Sequence, residues 1–210
     1  MEYKKILSYL GTPYIIYKTR SKYNGEILVN SVFGQNSISV GNLTQTGSIV
    51  SGLWSFAVKQ IENVNSCLVL GVGGGSIIKV LRNKYPHAEI TGVEIDKTMI
   101  DIGKKYFDLD KYEAKIVIAD AFNYVSRISK KFDLICIDLL VGRTAPKKLS
   151  SETFFRNIKR LLSKDGIVII NQLRLKSQPE NEGLLKILKR TFTIVEIKKP
   201  LVNTIIYLYS

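Results

Sequence analysis

From residue 66 onward, short apolar runs alternate with segments in which apolar residues recur every three or four positions. The runs predict strands near residues 66–71, 89–95, 115–119, 132–138, 166–171, 192–199 and 203–209. The periodic segments predict helices near residues 75–85, 97–107, 120–129, 150–163 and 181–190. Strands that alternate with helices in this way are typical of right-handed βαβ units on a parallel sheet.

The last two predicted strands break this alternation. About three residues separate them, near Leu201-Val202-Asn203, which is too few for a crossover helix. The two strands must therefore form an antiparallel hairpin. The predicted fold is α/β, a Rossmann-like fold of the class I methyltransferase type, with a seven-stranded, mostly parallel sheet that ends in this hairpin.

The first part of the chain has a different pattern. Three short β-type runs, at residues 15–17, 27–29 and 38–40, are separated by turn residues such as Asn24-Gly25, which predicts a small antiparallel hairpin or meander. A helix follows over residues 48–62, with Ser48 as its N-cap. We therefore expect a small N-terminal β segment over residues 1–47 and a Rossmann-like domain over residues 48–210.

The composition excludes several classes of site. His87 is the only histidine, and Cys67 and Cys136 lie in predicted strands, where buried free thiols are expected. A zinc site or a histidine-based triad is therefore not expected, and we predict no metal. No apolar run approaches the roughly 20 residues of a membrane span, and no signal-type segment follows the first residues, so a cytoplasmic protein without a membrane partner is expected.

The charge points weakly to polyanionic partners. The 210 residues contain 31 Lys+Arg against 18 Asp+Glu, a net charge of +13, which favours nucleic acid or acidic protein surfaces. The basic residues are scattered, so a generally basic solvated surface is the alternative interpretation. The N-terminal hairpin offers an edge that could pair with a second copy, and a homodimer is one hypothesis.

Four glycines follow the first strand of the predicted parallel sheet, in Leu70-Gly71-Val72-Gly73-Gly74-Gly75-Ser76. Ligands of open α/β sheets bind outside the carboxyl ends of the strands, and glycine lets a ligand approach the backbone closely. We therefore predict that Gly71, Gly73 and Gly75 contact a nucleotide-type ligand, although a tight turn without a ligand remains the alternative. Ser76 stands where the last glycine of G-x-G-x-x-G would fall, which disfavours NAD.

Acids follow the next three strands. Glu94 lies 21 residues after Gly73, where an acid accepts hydrogen bonds from ribose hydroxyls, and Asp96 is predicted to cap the following helix. Asp120 is predicted to accept a bond from an adenine amino group, to cap a helix, or to do both. The neighbouring Ile95 and Ala121 complete the predicted binding set. Asp138 follows the fourth strand, and a second substrate would meet the nucleoside there, although a loop-capping acid is the alternative.

With these motifs, the sequence resembles the spermidine synthase family and its methyltransferase-like relatives over roughly residues 20–175. The resemblance implies S-adenosylmethionine or its decarboxylated form as a small-molecule donor, with Glu94 at the ribose, Asp120 at the adenine and Gln45 near the thioether end. Aminopropyltransferases carry acids that hold cationic amines where this chain has Gly74 and Val141. The Gly-Val-Gly-Gly-Gly-Ser turn also looks like that of spermidine-synthase-like methyltransferases.

The chain is expected to be a transferase with an S-adenosyl sulfonium donor, and methyl transfer to an unidentified amine, protein or RNA acceptor is preferred. Aminopropyl transfer that makes polyamines from decarboxylated S-adenosylmethionine is the alternative, and a catalytically silent nucleoside-binding module is the second alternative. Asp138 is the predicted catalytic residue, which orients an acceptor amine or receives its proton.

Overall fold

The computed structural model describes residues 12, 14–41, 43–140, 146–173, 182–200 and 203–209. The strands are β1 Tyr14–Ser21, β2 Gly25–Val32, β3 Gln35–Val40, β4 Leu43–Thr46, β5 Ser66–Leu70, β6 Glu89–Glu94, β7 Lys115–Ile118, β8 Phe132–Ile137, β9 Leu162–Leu173, β10 Ile194–Lys198 and β11 Asn203–Tyr209. The helices are α1 Ser48–Val58, α2 Ser76–Lys84, α3 Lys97–Phe107, α4 Ala121–Arg127, α5 Glu152–Arg160 and α6 Glu182–Thr191, with 3-10 turns at Leu109–Tyr112 and Lys147–Ser150.

The large sheet has seven strands in the order β10-β11-β9-β8-β5-β6-β7. The strands β5 to β9 are parallel, and β11 pairs antiparallel with both β9 and β10. This arrangement confirms the predicted α/β fold, including the antiparallel hairpin at its end. The central strands are apolar on both faces because helices cover both sides of the sheet.

Two cores lie on the two faces of this sheet. In β5, Cys67 and Val69 belong to one core, whereas Leu68 and Leu70 belong to the other, as expected from the two-residue period of a strand. Cys67 and Cys136 are buried free thiols, as predicted. Burial raises the pKa of the Cys67 thiol to about 12, so it is protonated at neutral pH.

The small N-terminal sheet is a four-stranded meander in the order β1-β2-β3-β4. Ile27 and Ile38 of this sheet form a third buried cluster with Met99 and Ile102 of α3. The fourth strand, β4, was not predicted because its sequence Leu-Thr-Gln-Thr is short and mostly polar. It ends next to the glycine turn, and so the small sheet borders the crevice of the large one.

Two local predictions are corrected. Ser48 does not cap α1: Gly47 is the N-cap residue, and its φ of 130° suits glycine. The strand predicted over 166–171 begins earlier, at Leu162, because β9 already pairs with Phe132 there and continues through an irregularity near Gly166. The predicted division at residue 47 falls between β4 and α1, and the assignment of residues 1–47 to a small β segment and of residues 48–210 to a Rossmann-like domain stays a prediction.

Candidate functional site

A cleft of about 590 Å³ opens at the carboxyl ends of β5, β6, β7 and β8. Eight of the nine predicted site residues line it; seven of them follow or end a strand of the large sheet, and Gln45 lies within β4. They are Gln45, Gly71, Gly73, Glu94, Ile95, Asp120, Ala121 and Asp138. The ninth, Gly75, is not among the lining residues, because it faces Leu109 instead. The position of the cleft follows the general rule for open α/β sheets.

Gly71 lies where the ends of β5 and β8 meet. Its φ is 90°, and a Cβ atom built there would lie 2.8 Å from the carbonyl carbon of Asp138. The Asp138 amide also donates to the Leu70 carbonyl at 2.8 Å, which keeps the two strands together. Glycine at this position is therefore required by packing, apart from any contact with a ligand.

Gly74 lies under the N-terminal sheet. A Cβ atom there would collide with the Ile38 side chain and lie 2.9 Å from Thr46 Cγ2. The Gly74 amide donates to Thr46 Oγ1 at 2.9 Å, and Ser76 Oγ accepts from the Gly47 amide at 2.9 Å. The small sheet is thus bound to the glycine turn at two points, and it fills the space that a side chain at residue 74 would need.

Glu94 holds the glycine turn. Its Oε2 accepts from the amides of Val72 at 3.1 Å and Gly73 at 2.9 Å, and its Oε1 accepts from the Asp96 amide at 2.9 Å. Burial raises the pKa of the Glu94 carboxyl, and these three hydrogen bonds oppose that rise. A carboxylate oxygen has two lone pairs, so Oε2 is fully used by its two amide donors, whereas Oε1 keeps capacity for one further donor. The acid therefore shapes the turn and can still accept from a ligand.

Two other acids cap helices. Asp96 Oδ1 accepts from the Thr98 amide at 3.0 Å at the start of α3, which confirms the predicted cap. Its Oδ2 accepts from Ser21 and from Asn24 Nδ2, which ties the N-terminal sheet to α3. Asp120 caps α4 by accepting from the Asn123 amide at 2.9 Å, and it also lines the cleft. Its capping role is thus present, and its adenine role stays a prediction.

Asp138 is held on both carboxylate oxygens. Trp54 Nε1 of α1 donates to Oδ2 at 3.0 Å, and Asn171 Nδ2 of β9 donates to Oδ1 at 3.0 Å. Asn203 Nδ2, at the start of β11, donates in turn to Asn171 Oδ1 at 2.9 Å. Burial raises the pKa of the Asp138 carboxyl, and the two donated hydrogen bonds lower it in part. The carboxyl is therefore oriented and more basic than an exposed aspartate.

The two donors to Asp138, Trp54 and Asn171, and the Asn203 side chain that bonds to Asn171 were not predicted from the sequence. Asn171 follows the apolar run Ile169-Ile170, so the rule that selected the acids at strand ends also applies to it. Asn203 is the first residue of β11, which runs antiparallel to β9. The amino end of β11 therefore meets the carboxyl ends of the parallel strands. Trp54 is the single tryptophan of the chain, and its indole N–H needs a partner when the ring is buried.

The other walls of the cleft are mainly apolar. Ile49, Leu53, Ile77, Met99 and Phe122 line it, and among the described residues its acids are Glu94, Asp120 and Asp138. Lys148 also lines the cleft, with its Nζ 5.9 Å from the centre of the Phe122 ring. The described residues contain no group of three or more His, Cys, Asp or Glu that could hold a metal ion. An apolar cavity with a few oriented polar groups is the usual form of a small-molecule site.

A family model of the spermine/spermidine synthase domain matches residues 50–208, a range that contains most of this cleft. The chain belongs to the spermine/spermidine synthase family. It is 30% identical over 142 residues to a protein of Bifidobacterium longum named "Probable polyamine aminopropyl transferase", a match that covers 68% of this chain and 31% of that relative. It is 28% identical over 223 residues to a polyamine aminopropyltransferase of Hydrogenobaculum sp., covering 99% of this chain and 77% of the relative. The chain thus spans about a third of the length of the first of these family members.

The spermidine synthase fold is also found among solved structures. A spermidine synthase in complex with the transition state analogue AdoDATO superposes with a TM-score of 0.78 at 18% identity, covering 93% of this chain and 73% of the other. Human methyltransferase-like protein 13 in complex with SAH gives a TM-score of 0.63 at 24% identity, covering 76% and 78%. At these identities the likeness shows the fold, which the two kinds of transferase share.

The preference for methyl transfer over aminopropyl transfer is wrong. The family match over residues 50–208 and the aminopropyltransferase relatives favour the alternative. The preference depended on acids that are absent at Gly74 and Val141, and Val141 lies outside the described residues. At residue 74, a Cβ atom would meet Ile38 and Thr46, so glycine fits the local packing of this chain.

In the part of the chain that the structure describes, no helix is long and apolar enough to cross a membrane.

Proposed function

We propose that the chain is an aminopropyltransferase, which transfers the aminopropyl group of decarboxylated S-adenosylmethionine to an amine. The observation that carries this proposal is the spermine/spermidine synthase match over residues 50–208, which spans the cleft from α1 to β11. The relatives that bear the name polyamine aminopropyltransferase support the same activity.

The cleft fits such a donor in size and in polarity. Its volume of about 590 Å³ lies within the roughly 300–1,000 Å³ range of small-molecule sites. We assign the ribose to Glu94, which already lies against the turn amides, and the adenine to Asp120, with the Ala121 backbone and Phe122 beside it. Gln45 and Gly73 would border the sulfur end, and this places the transferred carbon toward Asp138.

Asp138 would act on the acceptor. A sulfonium donor supplies a carbon that is already activated, so the protein mainly has to align the nucleophile and exclude water. The acceptor must arrive as a neutral amine; its nitrogen forms the new C–N bond while the C–S bond breaks and methylthioadenosine leaves. Asp138 accepts the proton that the new ammonium group gives up, and its raised pKa makes it the better base.

The test is a product assay with defined donors. The purified protein is incubated with a diamine and either decarboxylated S-adenosylmethionine or S-adenosylmethionine, and the products are identified by mass spectrometry. We expect methylthioadenosine and an aminopropylated amine from the first donor only. S-adenosylhomocysteine from the second donor, with no product from the first, would overturn the proposal.

The matched variant is Asp138→Asn. It keeps the size of the side chain and removes the base, so turnover should fall while methylthioadenosine still binds. An Asp138→Asn protein with wild-type turnover would remove Asp138 from the catalytic role and leave the donor assignment intact.

A further inference from the structure

Four side chains from four different elements form a continuous chain of hydrogen bonds along the cleft wall. Trp54 comes from α1, Asp138 follows β8, Asn171 lies on β9 and Asn203 begins β11. All four line the cleft. Asn203 itself is fixed by its backbone, since its amide donates to the Pro200 carbonyl at 2.9 Å.

The direction of the two side-chain amide groups decides which protonation form of Asp138 the hydrogen-bond network favours. Asn203 donates its NH₂ group to Asn171 Oδ1, so Asn171 presents its own NH₂ group to Asp138. A carboxylate only accepts hydrogen bonds, whereas a protonated carboxyl also donates one. With the amide of Asn171 in this direction, the site favours the ionised form of Asp138. If the Asn171 amide were reversed, its oxygen would face Asp138 and favour the protonated form.

The two amides also reinforce each other. Hydrogen bonds in a connected network polarise one another, and the dipoles of both side-chain amides point their positive ends toward Asp138. Trp54 is the second neutral donor to Asp138, on the opposite carboxylate oxygen. These groups oppose the effect of burial, which disfavours the ionised form of the carboxyl.

We propose that Asn203 is a positioning residue for the transfer reaction: through Asn171, it keeps the Asp138 carboxylate ionised and aimed at the acceptor. This inference rests on the proposed function, because it gives Asp138 the role of base. It extends that function to Asn203 of β11. Among the hydrogen bonds described, the Asn203 side chain bonds to Asn171 and not to Asp138.

Other ionisable groups near Asp138 have to be considered in any titration. Along the described cleft wall these are Glu94 at the end of β6, Asp120 after β7 and Lys148 on the 3-10 turn, and the Cys136 thiol lies two residues earlier on β8. Burial raises the pKa of Cys136, so this thiol stays protonated in the range of interest. The side chains of Trp54, Asn171 and Asn203 do not titrate in this pH range, so replacing them removes no titrating group.

The experiment is a double-mutant cycle read as a pH profile. Asn171→Leu removes the bond to Asp138, and Asn203→Leu removes the bond that orients Asn171. We expect the acidic limb of kcat/KM to move up by about one pH unit in Asn171→Leu, since a hydrogen bond to a charged group has about that effect on a pKa. In Asn203→Leu we expect a smaller upward shift, about half a unit, because Asn171 loses its fixed direction but not its NH₂ group.

The decisive comparison is the double variant. If Asn203 acts through Asn171, then Asn203→Leu adds no further shift when Asn171→Leu is already present. Asn203→Asp is a stronger perturbation in the same direction: an acceptor at this position draws the NH₂ group of Asn171 away from Asp138, and its negative charge also raises the pKa of Asp138, so we expect a larger upward shift than in Asn203→Leu. Thr204→Val, at the next position of β11, is the control for disturbance of the strand. The acidic limb of its kcat/KM profile should match that of the wild type.

A direct titration separates this inference from the proposed function. The Asp138 carboxyl resonance can be followed by ¹³C NMR against pH and assigned by its loss in Asp138→Asn. A raised Asp138 pKa in Asn203→Leu supports the inference even if no aminopropyl transfer is found. An unchanged Asp138 pKa in both Asn203 variants, or a full additional shift in the double variant, would overturn it even if the enzyme is active.

Discussion

Replacing Gly71 with alanine tests the packing argument at the base of the cleft. A methyl group at residue 71 would lie 2.8 Å from the carbonyl carbon of Asp138 and closer still to its oxygen, and the φ of 90° is unfavourable for alanine. The backbone strain costs about 1–3 kcal/mol. The overlap costs about 1–3 kcal/mol more, because backbone atoms rather than flexible side chains have to move. We therefore expect Gly71→Ala to lower the free energy of unfolding by about 2–6 kcal/mol.

The assay is urea unfolding followed by circular dichroism, with the free energy of unfolding obtained by linear extrapolation. Gly52→Ala is the matched control: residue 52 lies inside α1, and a Cβ atom there meets nothing within 4 Å. This control should gain up to about 1 kcal/mol from helix propensity alone. A Gly71→Ala protein within about 0.5 kcal/mol of the wild type would refute the claim that β5 and β8 require glycine at this contact.

Further predictions concern the acids of the cleft and Lys148. Glu94→Gln places an NH₂ group among the backbone amides of the glycine turn. It should lower the free energy of unfolding by about 1–3 kcal/mol. It should also weaken methylthioadenosine binding about tenfold or more, as measured by calorimetry. Asp120→Ala should cost about 1 kcal/mol as a lost cap and also weaken methylthioadenosine binding. The control Ser151→Ala loses the cap of α5, which does not line the cleft, and should keep the affinity. Equal affinities in these two cap variants would contradict the adenine assignment. Lys148→Gln should lower the KM for a diamine a few-fold at low salt, since two like charges about 4 Å apart in water repel by about 1 kcal/mol. A KM that is unchanged at every salt concentration would show that Lys148 does not lie on the acceptor side of the cleft.

The pattern of the sequence was sufficient for the large sheet and for most of the cleft. Buried parallel strands give continuous apolar runs, and the residues that follow them meet at one edge, so the order of residues alone was enough to select Glu94, Asp120 and Asp138. The same reasoning placed Asp96 at the start of α3 as its cap.

The remaining features depend on contacts between distant segments. The strand β4 is too short and polar for a periodic pattern, and it forms by pairing with β3. The glycine at residue 74 suggested a missing amine-binding acid, but the structure gives it a packing partner in Ile38, which is 36 positions earlier in the chain. Asn171 and Asn203 have no unusual neighbours in the sequence, and only the pairing of β9 with β11 brings them together beside Asp138.

The central claim is that this cleft transfers an aminopropyl group and that Asp138 is the base. The most direct measurement is the rate of methylthioadenosine release from decarboxylated S-adenosylmethionine and a diamine, measured against pH for the wild type and for Asp138→Asn. The account predicts a wild-type rate that falls as the pH drops through the Asp138 pKa, which burial raises above the ordinary aspartate value. It also predicts that Asp138→Asn binds methylthioadenosine but lacks both the rate and the acidic limb. No methylthioadenosine release from the wild type at any pH, with this donor bound, would contradict the account.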